Sequence, residues 1–211
     1  MRCTTPWRRG SRWRADVRPA VFLDRDGTMI YDVGYLGRLA DLRWFPYTVD
    51  AVRLLNRAGF LVFVTTNQGG IGLGYYDEAF VLDLHERMHA VLAAGGAHVD
   101  GWFFCPHHPG AVTDALRMEC GCRKPRTGMI EQAAAAFAID RAGSFVVGDK
   151  LADLEMAVRA GARGVLVRTG YGEDVARAHE GVVPGAAHVA PDLMAATSWI
   201  LDPAMGGALR A

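Results

Sequence analysis

Short apolar segments alternate with helical segments along most of the chain, and this alternation restricts the possible folds more than any other feature. The apolar segments are rich in β-branched and aromatic residues and cover positions 20–23, 60–65, 102–105, 144–148, 164–168 and 187–189. Helical patterns between them cover about 48–58, 127–138, 151–160, 173–180 and 192–201. Continuous apolar strands that alternate with helices are typical of a parallel sheet covered on both faces. The sequence therefore predicts an α/β fold with a doubly wound parallel sheet, in a single domain over residues 19–211.

The clearest helix begins at Asp77, a good N-cap residue, and is expected to end before the two glycines at 95–96. Its predicted apolar stripe contains Phe80, Leu84, Met88 and Val91. The segment HERMH at 85–89 fits the His-Glu-x-x-His pattern of zinc metallopeptidases. On a helical wheel, however, Glu86 lies almost opposite the stripe and His89 lies well off it. We therefore expect a solvent-facing helix surface here and not a peptidase site.

The balance of charge excludes a globally charged binding surface. Lys and Arg together number 23, as do Asp and Glu, so no overall field attracts nucleic acid or an anionic membrane. No apolar run approaches the roughly 18 residues that span a bilayer, and no signal-type segment opens the chain, so a cytoplasmic location is expected. Residues 1–18 hold six arginines and one acid. We expect a disordered basic extension there, with an Arg-rich targeting peptide or a basic interaction arm as alternatives.

Carboxylates follow two of the predicted strands. The segment VFLDRDGT places Asp24 and Asp26 directly after the first strand, and VVGDKLAD places Asp149 after the fourth, with Asp153 one helical turn further on. Crowded carboxylates repel one another unless a cation is present or one stays protonated, and Mg²⁺ prefers such oxygen ligands. With the metal bound, Asp24 could attack an electrophile while Asp26 transfers protons. Taken singly, these residues could also be turn residues or helix N-caps.

The predicted second strand ends in TTNQGG at 65–70, which offers the hydroxyl of Thr66, the amide of Asn67 and two glycines. Together these groups could present donors to a phosphate. Glycine-rich turns after strands are common, so this signal is weak by itself.

Two pairs of metal-ligand residues flank one irregular loop. Cys105 and His107 form one pair, and after twelve residues Cys120 and Cys122 form the other. Three thiolates and one imidazole are typical of a closed, tetrahedral structural zinc site, which we prefer to a disulfide or to scattered thiols. His108 could replace His107 as the ligand, and Cys3 looks unrelated. Because Arg123 and Lys124 follow Cys122 directly, a fixed Cys122 would position both cations.

The order of these motifs resembles the haloacid dehalogenase superfamily of phosphohydrolases. The pattern of that family is Asp-x-Asp-Gly-Thr, a Ser or Thr, a Lys, and Gly-Asp-x-x-x-Asp. It is matched here, across residues 20–170, by Asp24, Asp26, Gly27 and Thr28, then by Thr66, Lys124, Gly148, Asp149 and Asp153. The resemblance implies a Rossmann-like fold and four ordered motifs at one edge of its sheet.

The resemblance also implies a role for each matched residue. Asp24 is expected to be the nucleophile and Asp26 the general acid and base. Asp24, Asp149 and the main-chain carbonyl of Asp26 are expected to bind a catalytic Mg²⁺. The phosphoryl oxygens are expected to contact Thr66 and Lys124, with Asn67 and Arg123 as further substrate-binding residues. These roles agree with the need of phosphoryl transfer for an in-line nucleophile and dense positive charge.

The intervals between the motifs leave no room for a cap domain, so an open active site walled by the zinc loop is expected. The chain is similar to a capless subgroup that contains heptose 1,7-bisphosphate phosphatases and histidinol-phosphate phosphatases. The similarity rests on Thr-Asn-Gln-x-Gly-Ile at 66–71, on Cys-Arg-Lys-Pro at 122–125 and on the two ligand pairs of the zinc loop. The chain departs from the subgroup at Gly69, where serine is usual, and in its basic extension.

This resemblance implies a Mg²⁺-dependent phosphomonoesterase that acts on a small sugar phosphate, and we expect a monomer. The expected reaction removes the 7-phosphate of D-glycero-D-manno-heptose 1,7-bisphosphate, because the planar fork of Arg123 suits a second phosphate. Histidinol phosphate remains the alternative, since Asp114 and Glu119 could meet its ammonium group. A non-catalytic interaction module built on the zinc loop is disfavoured, because all three acidic positions are retained.

Overall fold

The computed structural model describes residues 16–204. Most of the predicted basic extension, including Cys3, lies outside these described residues, so the expectation for that segment is untested. No helix of residues 16–204 combines the length and the apolar character that a membrane crossing requires.

A six-stranded sheet forms the centre of the molecule. Its strands are β1 (Arg18–Leu23), β2 (Leu61–Asn67), β3 (Gly101–Cys105), β4 (Ile139–Gly148), β5 (Arg163–Val167) and β6 (Ala186–Ala190). All neighbours pair in parallel, in the order β3-β2-β1-β4-β5-β6. The chain reverses its direction of travel across the sheet between β1 and β4, and in such sheets ligands bind in the crevice outside the carboxyl ends at that point. The predicted doubly wound α/β fold is confirmed.

Helices cover both faces of this sheet. They are α1 (Thr48–Arg57), α2 (Gly69–Gly72), α3 (Glu78–Ala94), α4 (Gly128–Ala134), α5 (Leu151–Ala160), α6 (Gly172–Ala178) and α7 (Leu193–Leu201), with a short 3₁₀ helix at Leu39–Asp41. Side chains alternate between the faces of a strand, and the strands accordingly supply two main cores. One core joins Val21 and Val62 to α1, α3 and α7. The other joins Phe22 and Phe63 to α4 and α5.

Three elements differ from the sequence predictions. β4 begins at Ile139, five residues before the predicted start at 144, because its first half alternates between exposed and half-buried residues and shows no apolar run. The predicted helix 127–138 is shorter, since α4 ends at Ala134. The glycine-rich turn after β2 contains the four-residue helix α2, whose glycines give no helical pattern in the sequence.

Helix α3 has the predicted N-cap but a different buried face. The Asp77 carboxylate accepts a hydrogen bond from the Phe80 main-chain N–H. The buried residues are Val81, Leu84, His85, Met88, His89 and Leu92, whereas Val91 is 43% exposed. The expectation of a solvent-facing surface was therefore wrong for the two histidines, because His85 finds aromatic and polar partners inside the protein. Glu86 is exposed on the other side of the helix, so HERMH forms no peptidase site.

Candidate active site

The carboxyl ends of β1, β2 and β4 bring the predicted catalytic residues together. Asp24 follows β1, Thr66 lies near the end of β2, and Asp149 follows β4. The Asp24 main-chain N–H donates to Val147 O at 2.8 Å, so the first loop residue continues the pairing of β1 with β4. The sheet register thus fixes the relative position of Asp24 and Asp149.

Lys124 is the centre of the buried charge network. Its ammonium group donates to Asp24 Oδ1 at 2.6 Å, to Asp153 Oδ1 at 2.6 Å and to Thr65 O at 3.0 Å. These acceptors use all three N–H bonds of the ammonium group. Burial would lower the pKa of Lys124, but the charges of Asp153 and Asp24 outweigh it and raise this pKa. Lys124 is therefore a fixed cation beside the predicted nucleophile.

The three carboxylates respond differently to this environment. Burial would raise the pKa of Asp24, but the charges of Lys124 and Lys150 outweigh it and hold this pKa below its ordinary value. Burial, together with the charge of Asp24, raises the pKa of Asp149 to about 7. Burial also raises the pKa of Asp153 to about 6, although Lys124 opposes it. Negative charge is thus stable on Asp24 and costly on Asp149.

Asp149 and Asp24 fit a bound cation. Carboxylate oxygens of Asp24, Asp149 and Asp153 all lie within 4.8 Å of one another. Asp153 is engaged on both oxygens, by Lys124 Nζ and by the main-chain N–H of Lys150. Asp149 Oδ2 accepts from the Tyr171 N–H at 2.9 Å, whereas its buried Oδ1 accepts no hydrogen bond from residues 16–204. A buried carboxylate oxygen that accepts no hydrogen bond, beside a second carboxylate, suits a hard cation such as Mg²⁺.

Gly27 allows the loop that carries Asp24 and Asp26 to pack against Asp149. It has a φ of +85°, a conformation that favours glycine. A Cβ atom at this position would lie 2.3 Å from Asp149 Oδ2. The glycine of the Asp-x-Asp-Gly-Thr motif is therefore needed both for the turn and for the space that Asp149 occupies.

Lys150 is a second lysine in contact with the acidic cluster. Its ammonium group lies 3.1 Å from Asp32 Oδ2 and 3.5 Å from Asp149 Oδ1, and it packs 4.6 Å from the centre of the Tyr171 ring. Sequence reasoning missed Lys150, although its place directly after Asp149 was an available signal. The cluster thus contains two lysines, which oppose the repulsion among its carboxylates.

The residues at the end of β2 contact the neighbouring loops. The Thr66 hydroxyl lies 3.4 Å from Asp26 Oδ2 and also accepts from Gln68 Nε2 at 2.8 Å. The Asn67 amide accepts from the Lys124 main-chain N–H at 3.0 Å and donates to its carbonyl at 3.3 Å. Asn67 therefore positions Lys124, and the predicted contact of Asn67 with substrate stays a prediction.

The four predicted zinc ligands form a compact buried cluster. Cys105 Sγ lies 3.5 Å from both His107 Nδ1 and Cys120 Sγ, and Cys122 Sγ lies 3.4 Å from Cys120 Sγ and 3.5 Å from His107 Nδ1. Tetrahedral bonds of about 2.3 Å to sulfur and about 2.0 Å to nitrogen require ligand separations of roughly 3.5–3.8 Å. The observed distances lie close to this range, so the cluster fits zinc.

The structure distinguishes the two candidate histidines. His107 Nδ1 faces the three thiols, whereas His108 Nδ1 accepts a hydrogen bond from the Gly110 N–H at 3.0 Å. The His108 ring instead packs over Gly69, where a Cβ atom would lie 2.9 Å from its Cδ2. Glycine at position 69 therefore provides space for His108.

Arg123 connects the zinc loop to the active site. Its Nη1 donates to the His107 carbonyl at 2.9 Å and lies 3.4 Å from the Cβ position that a side chain at Gly69 would have. The next residue, Lys124, reaches Asp24. The loop thus holds the partly buried Arg123 directly before the buried Lys124.

Comparisons with known proteins decide the family. A curated D-glycero-D-manno-heptose-1,7-bisphosphate 7-phosphatase of Thermosynechococcus vestitus is 42% identical over 188 residues, which are 87% of this chain and 95% of that protein. The D-glycero-beta-D-manno-heptose-1,7-bisphosphate 7-phosphatase of Escherichia coli K12 is 44% identical over 153 residues, or 72% of this chain and 80% of that protein. The chain belongs to the haloacid dehalogenase superfamily.

Two further matches agree with this assignment. A family model described as HAD-hydrolase-like matches residues 121–196. The crystal structure of a D,D-heptose 1,7-bisphosphate phosphatase from B. bronchiseptica, complexed with magnesium and phosphate, superposes with a TM-score of 0.76 and 35% identity. That match covers 87% of this chain and 98% of the other. The family resemblance inferred from the motifs is confirmed, and the chain is a phosphatase.

Proposed function

We propose that the protein is a Mg²⁺-dependent phosphomonoesterase that removes the 7-phosphate of D-glycero-D-manno-heptose 1,7-bisphosphate through an aspartyl-phosphate on Asp24. The observation that carries this proposal is the buried ammonium group of Lys124, held 2.6 Å from Asp24 and 2.6 Å from Asp153. It keeps the nucleophile ionised and offers positive charge where phosphoryl oxygens would lie.

In the first step, a carboxylate oxygen of Asp24 attacks phosphorus, and the bond from phosphorus to the sugar oxygen breaks. The carboxylic acid of Asp26 gives its proton to that departing oxygen, so the sugar leaves as an alcohol. Lys124 stabilises the negative charge that spreads over the phosphoryl oxygens during transfer.

In the second step, the Asp26 carboxylate takes a proton from a water molecule as the water oxygen attacks phosphorus. The bond between phosphorus and the Asp24 oxygen breaks, which releases phosphate and restores both carboxyl groups. Asp24 and Asp149, with the Asp26 carbonyl, are the residues that would hold Mg²⁺. When bound, this ion supplies positive charge against the phosphoryl oxygens and the crowded carboxylates.

The choice of a heptose bisphosphate rests on the relatives' activity and on Arg123. Both curated relatives described above are named as heptose bisphosphate phosphatases. A bisphosphate carries a second dianion that must be bound away from Lys124, and a guanidinium fork binds such a group in two-point fashion. The hydrogen bond from Arg123 to the His107 carbonyl, which holds this side chain on the zinc loop, supports the proposal.

Replacing Arg123 with alanine should therefore change specificity more than turnover. Charge-assisted contacts contribute roughly 1.5–3 kcal/mol, so kcat/KM for the bisphosphate should fall about 10- to 150-fold. Hydrolysis of a heptose monophosphate should hardly change. Phosphate release from both substrates measures this difference. Arg141→Ala, which removes an arginine paired with Glu131 at the surface, is the matched control.

Equal losses on both substrates would refute the role of Arg123. A wild-type preference for histidinol phosphate in the same assay would replace the proposed substrate by the alternative.

The two metals should separate experimentally. Brief exposure to a chelator should remove Mg²⁺ and abolish activity, and added Mg²⁺ should restore it. Cys120→Ser should instead lower zinc content, stability and activity together, because the loop that carries Arg123 and Lys124 loses a ligand. Elemental analysis should find about one zinc per wild-type chain. Cys3→Ser is the matched control, and purified protein without zinc would refute the structural site.

A further inference from the structure

Arg25 lies between the two motif aspartates in sequence, yet its side chain points into the protein and is 1% exposed. Its guanidinium group donates from Nε to Asp26 Oδ2 at 3.1 Å and from Nη2 to Asp26 Oδ1 at 3.0 Å. Two parallel bonds of this kind fix the plane of a carboxylate as well as its position. The Asp26 carboxylate is thus bound on both oxygens by a neighbour that is itself buried.

His85 contacts the remaining terminal nitrogen of the Arg25 guanidinium group. Arg25 Nη1 lies 3.3 Å from His85 Nε2, and the imidazole stacks on the Trp102 ring with centroids 4.7 Å apart. Burial and the charge of Arg25 lower the pKa of His85 well below its ordinary value, so the ring is neutral and Nε2 can accept from Arg25. His85 belongs to HERMH, and this contact gives the motif a role unrelated to zinc.

Gln68 forms a second support for Asp26. Its Nε2 donates to Asp26 Oδ2 at 3.0 Å and to Thr66 Oγ1 at 2.8 Å. Its Oε1 accepts from the Tyr76 hydroxyl at 2.8 Å, which fixes the orientation of the amide. Asp26 therefore receives hydrogen bonds from two independent loops.

We propose that Arg25 and Gln68 are positioning residues that aim the Asp26 carboxyl at the reacting oxygens, and that His85 holds Arg25 in place. This inference rests on the proposed function, in which Asp26 serves both proton transfers. Arg25 and Gln68 contact the Asp26 carboxylate directly, and His85 contacts Arg25. These residues affect the reaction only by placing Asp26. Replacing one of them should therefore slow a step only as far as that step needs proton transfer by Asp26.

An aryl phosphate separates the two proton transfers. The p-nitrophenolate of p-nitrophenyl phosphate leaves without a proton, so formation of the aspartyl-phosphate does not require Asp26. Hydrolysis of that intermediate still requires Asp26 to take a proton from water. A displaced Asp26 should therefore slow the second step and spare the first.

The test is rapid-mixing kinetics of Arg25→Lys, with Mg²⁺ and p-nitrophenyl phosphate. Lysine keeps the charge but cannot hold both carboxylate oxygens in one plane. We expect a burst of about one nitrophenolate per chain at close to the wild-type initial rate, followed by turnover slowed about 10- to 100-fold. Equal loss of burst and steady-state turnover would indicate a structural role only. An unchanged steady state would also overturn the proposal.

Gln68→Leu provides an independent test that leaves Arg25 in place. It should show the same burst and a slower steady state, and it decides the question if Arg25→Lys does not fold. His85→Gln, which keeps an acceptor for Arg25, should be less affected than His85→Leu. His89→Gln, one turn further along α3, controls for disturbance of the helix and should leave the ratio of burst to turnover unchanged.

The proposed function and this inference fail separately. A wild-type protein that releases no phosphate from any phosphomonoester would refute the function. Active wild type with no burst in Arg25→Lys or Gln68→Leu would refute the positioning role alone.

Discussion

Asp24→Asn should abolish turnover while the protein continues to fold and to bind substrate. Asparagine keeps the shape of the side chain, and its Oδ1 can still accept the hydrogen bond that Lys124 donates to Asp24 at 2.6 Å. The amide cannot form a phosphoryl bond, so kcat should fall on the order of 10⁴-fold or more. Phosphate release over long incubations measures the residual rate, and calorimetry measures binding.

Binding is expected to stay at wild-type strength or to increase, because the variant removes a negative charge from a site for an anion. Asp50→Asn, at a half-exposed ion pair with Arg53, is the matched control and should retain full activity. Turnover of Asp24→Asn within tenfold of the wild-type rate would show that Asp24 is not the nucleophile.

Lys124→Met should damage both catalysis and folding. Removing one donor that stabilises transition-state charge reduces kcat by about 10²- to 10³-fold. The same substitution leaves Asp24 and Asp153 as buried carboxylates without their cation. Breaking a buried ion pair in this way costs about 3–5 kcal/mol of the free energy of unfolding. Chemical denaturation and phosphate release measure the two losses separately.

The double variant Lys124→Met/Asp153→Asn tells these two losses apart. Asparagine removes one unpaired charge, so about 1–3 kcal/mol of the lost stability should return. Activity should not return, because the cation beside the phosphoryl group is still absent. A double variant no more stable than Lys124→Met, or one with restored turnover, would contradict the assigned role of Lys124.

The stability deficit of Lys124→Met should also depend on pH. Burial already raises the pKa of Asp153 from 3.8 to about 6 while Lys124 opposes it, and removal of that lysine raises this pKa further. A carboxyl whose pKa is higher in the folded than in the unfolded state loses stability as pH rises between the two values. The deficit should therefore increase as pH rises from 4 through 6. A deficit that is constant from pH 4 to 8 would contradict the burial of an unpaired carboxylate.

The sequence was sufficient to predict the sheet and the place of its acidic residues. Parallel strands buried on both faces give continuous apolar runs, and residues that follow such runs meet at one edge of the sheet. Asp24 and Asp149 follow directly from this rule. The zinc-type cluster was also predictable. Two pairs of ligand residues flank one loop, each pair with one residue between its members, and this spacing is typical of a structural zinc site.

The supports of Asp26 could not be predicted from the sequence. Arg25 and His85 are 60 residues apart, and Gln68 and Asp26 are 42 residues apart. Such pairings depend on side-chain directions that only the packed fold fixes. The expected solvent-facing surface over HERMH was also wrong for His85, because a sequence pattern cannot show that Trp102 and Arg25 provide partners for it inside the protein.

Trapping the covalent intermediate tests the central claim most directly. The wild-type protein would be mixed with Mg²⁺ and heptose 1,7-bisphosphate, quenched during turnover and treated with borohydride, which reduces an acyl phosphate to an alcohol. Peptide mass spectrometry should then find homoserine at position 24, and at no position in Asp24→Asn. Homoserine at another aspartate, or rapid phosphate release with an unmodified Asp24, would contradict an aspartyl-phosphate on Asp24.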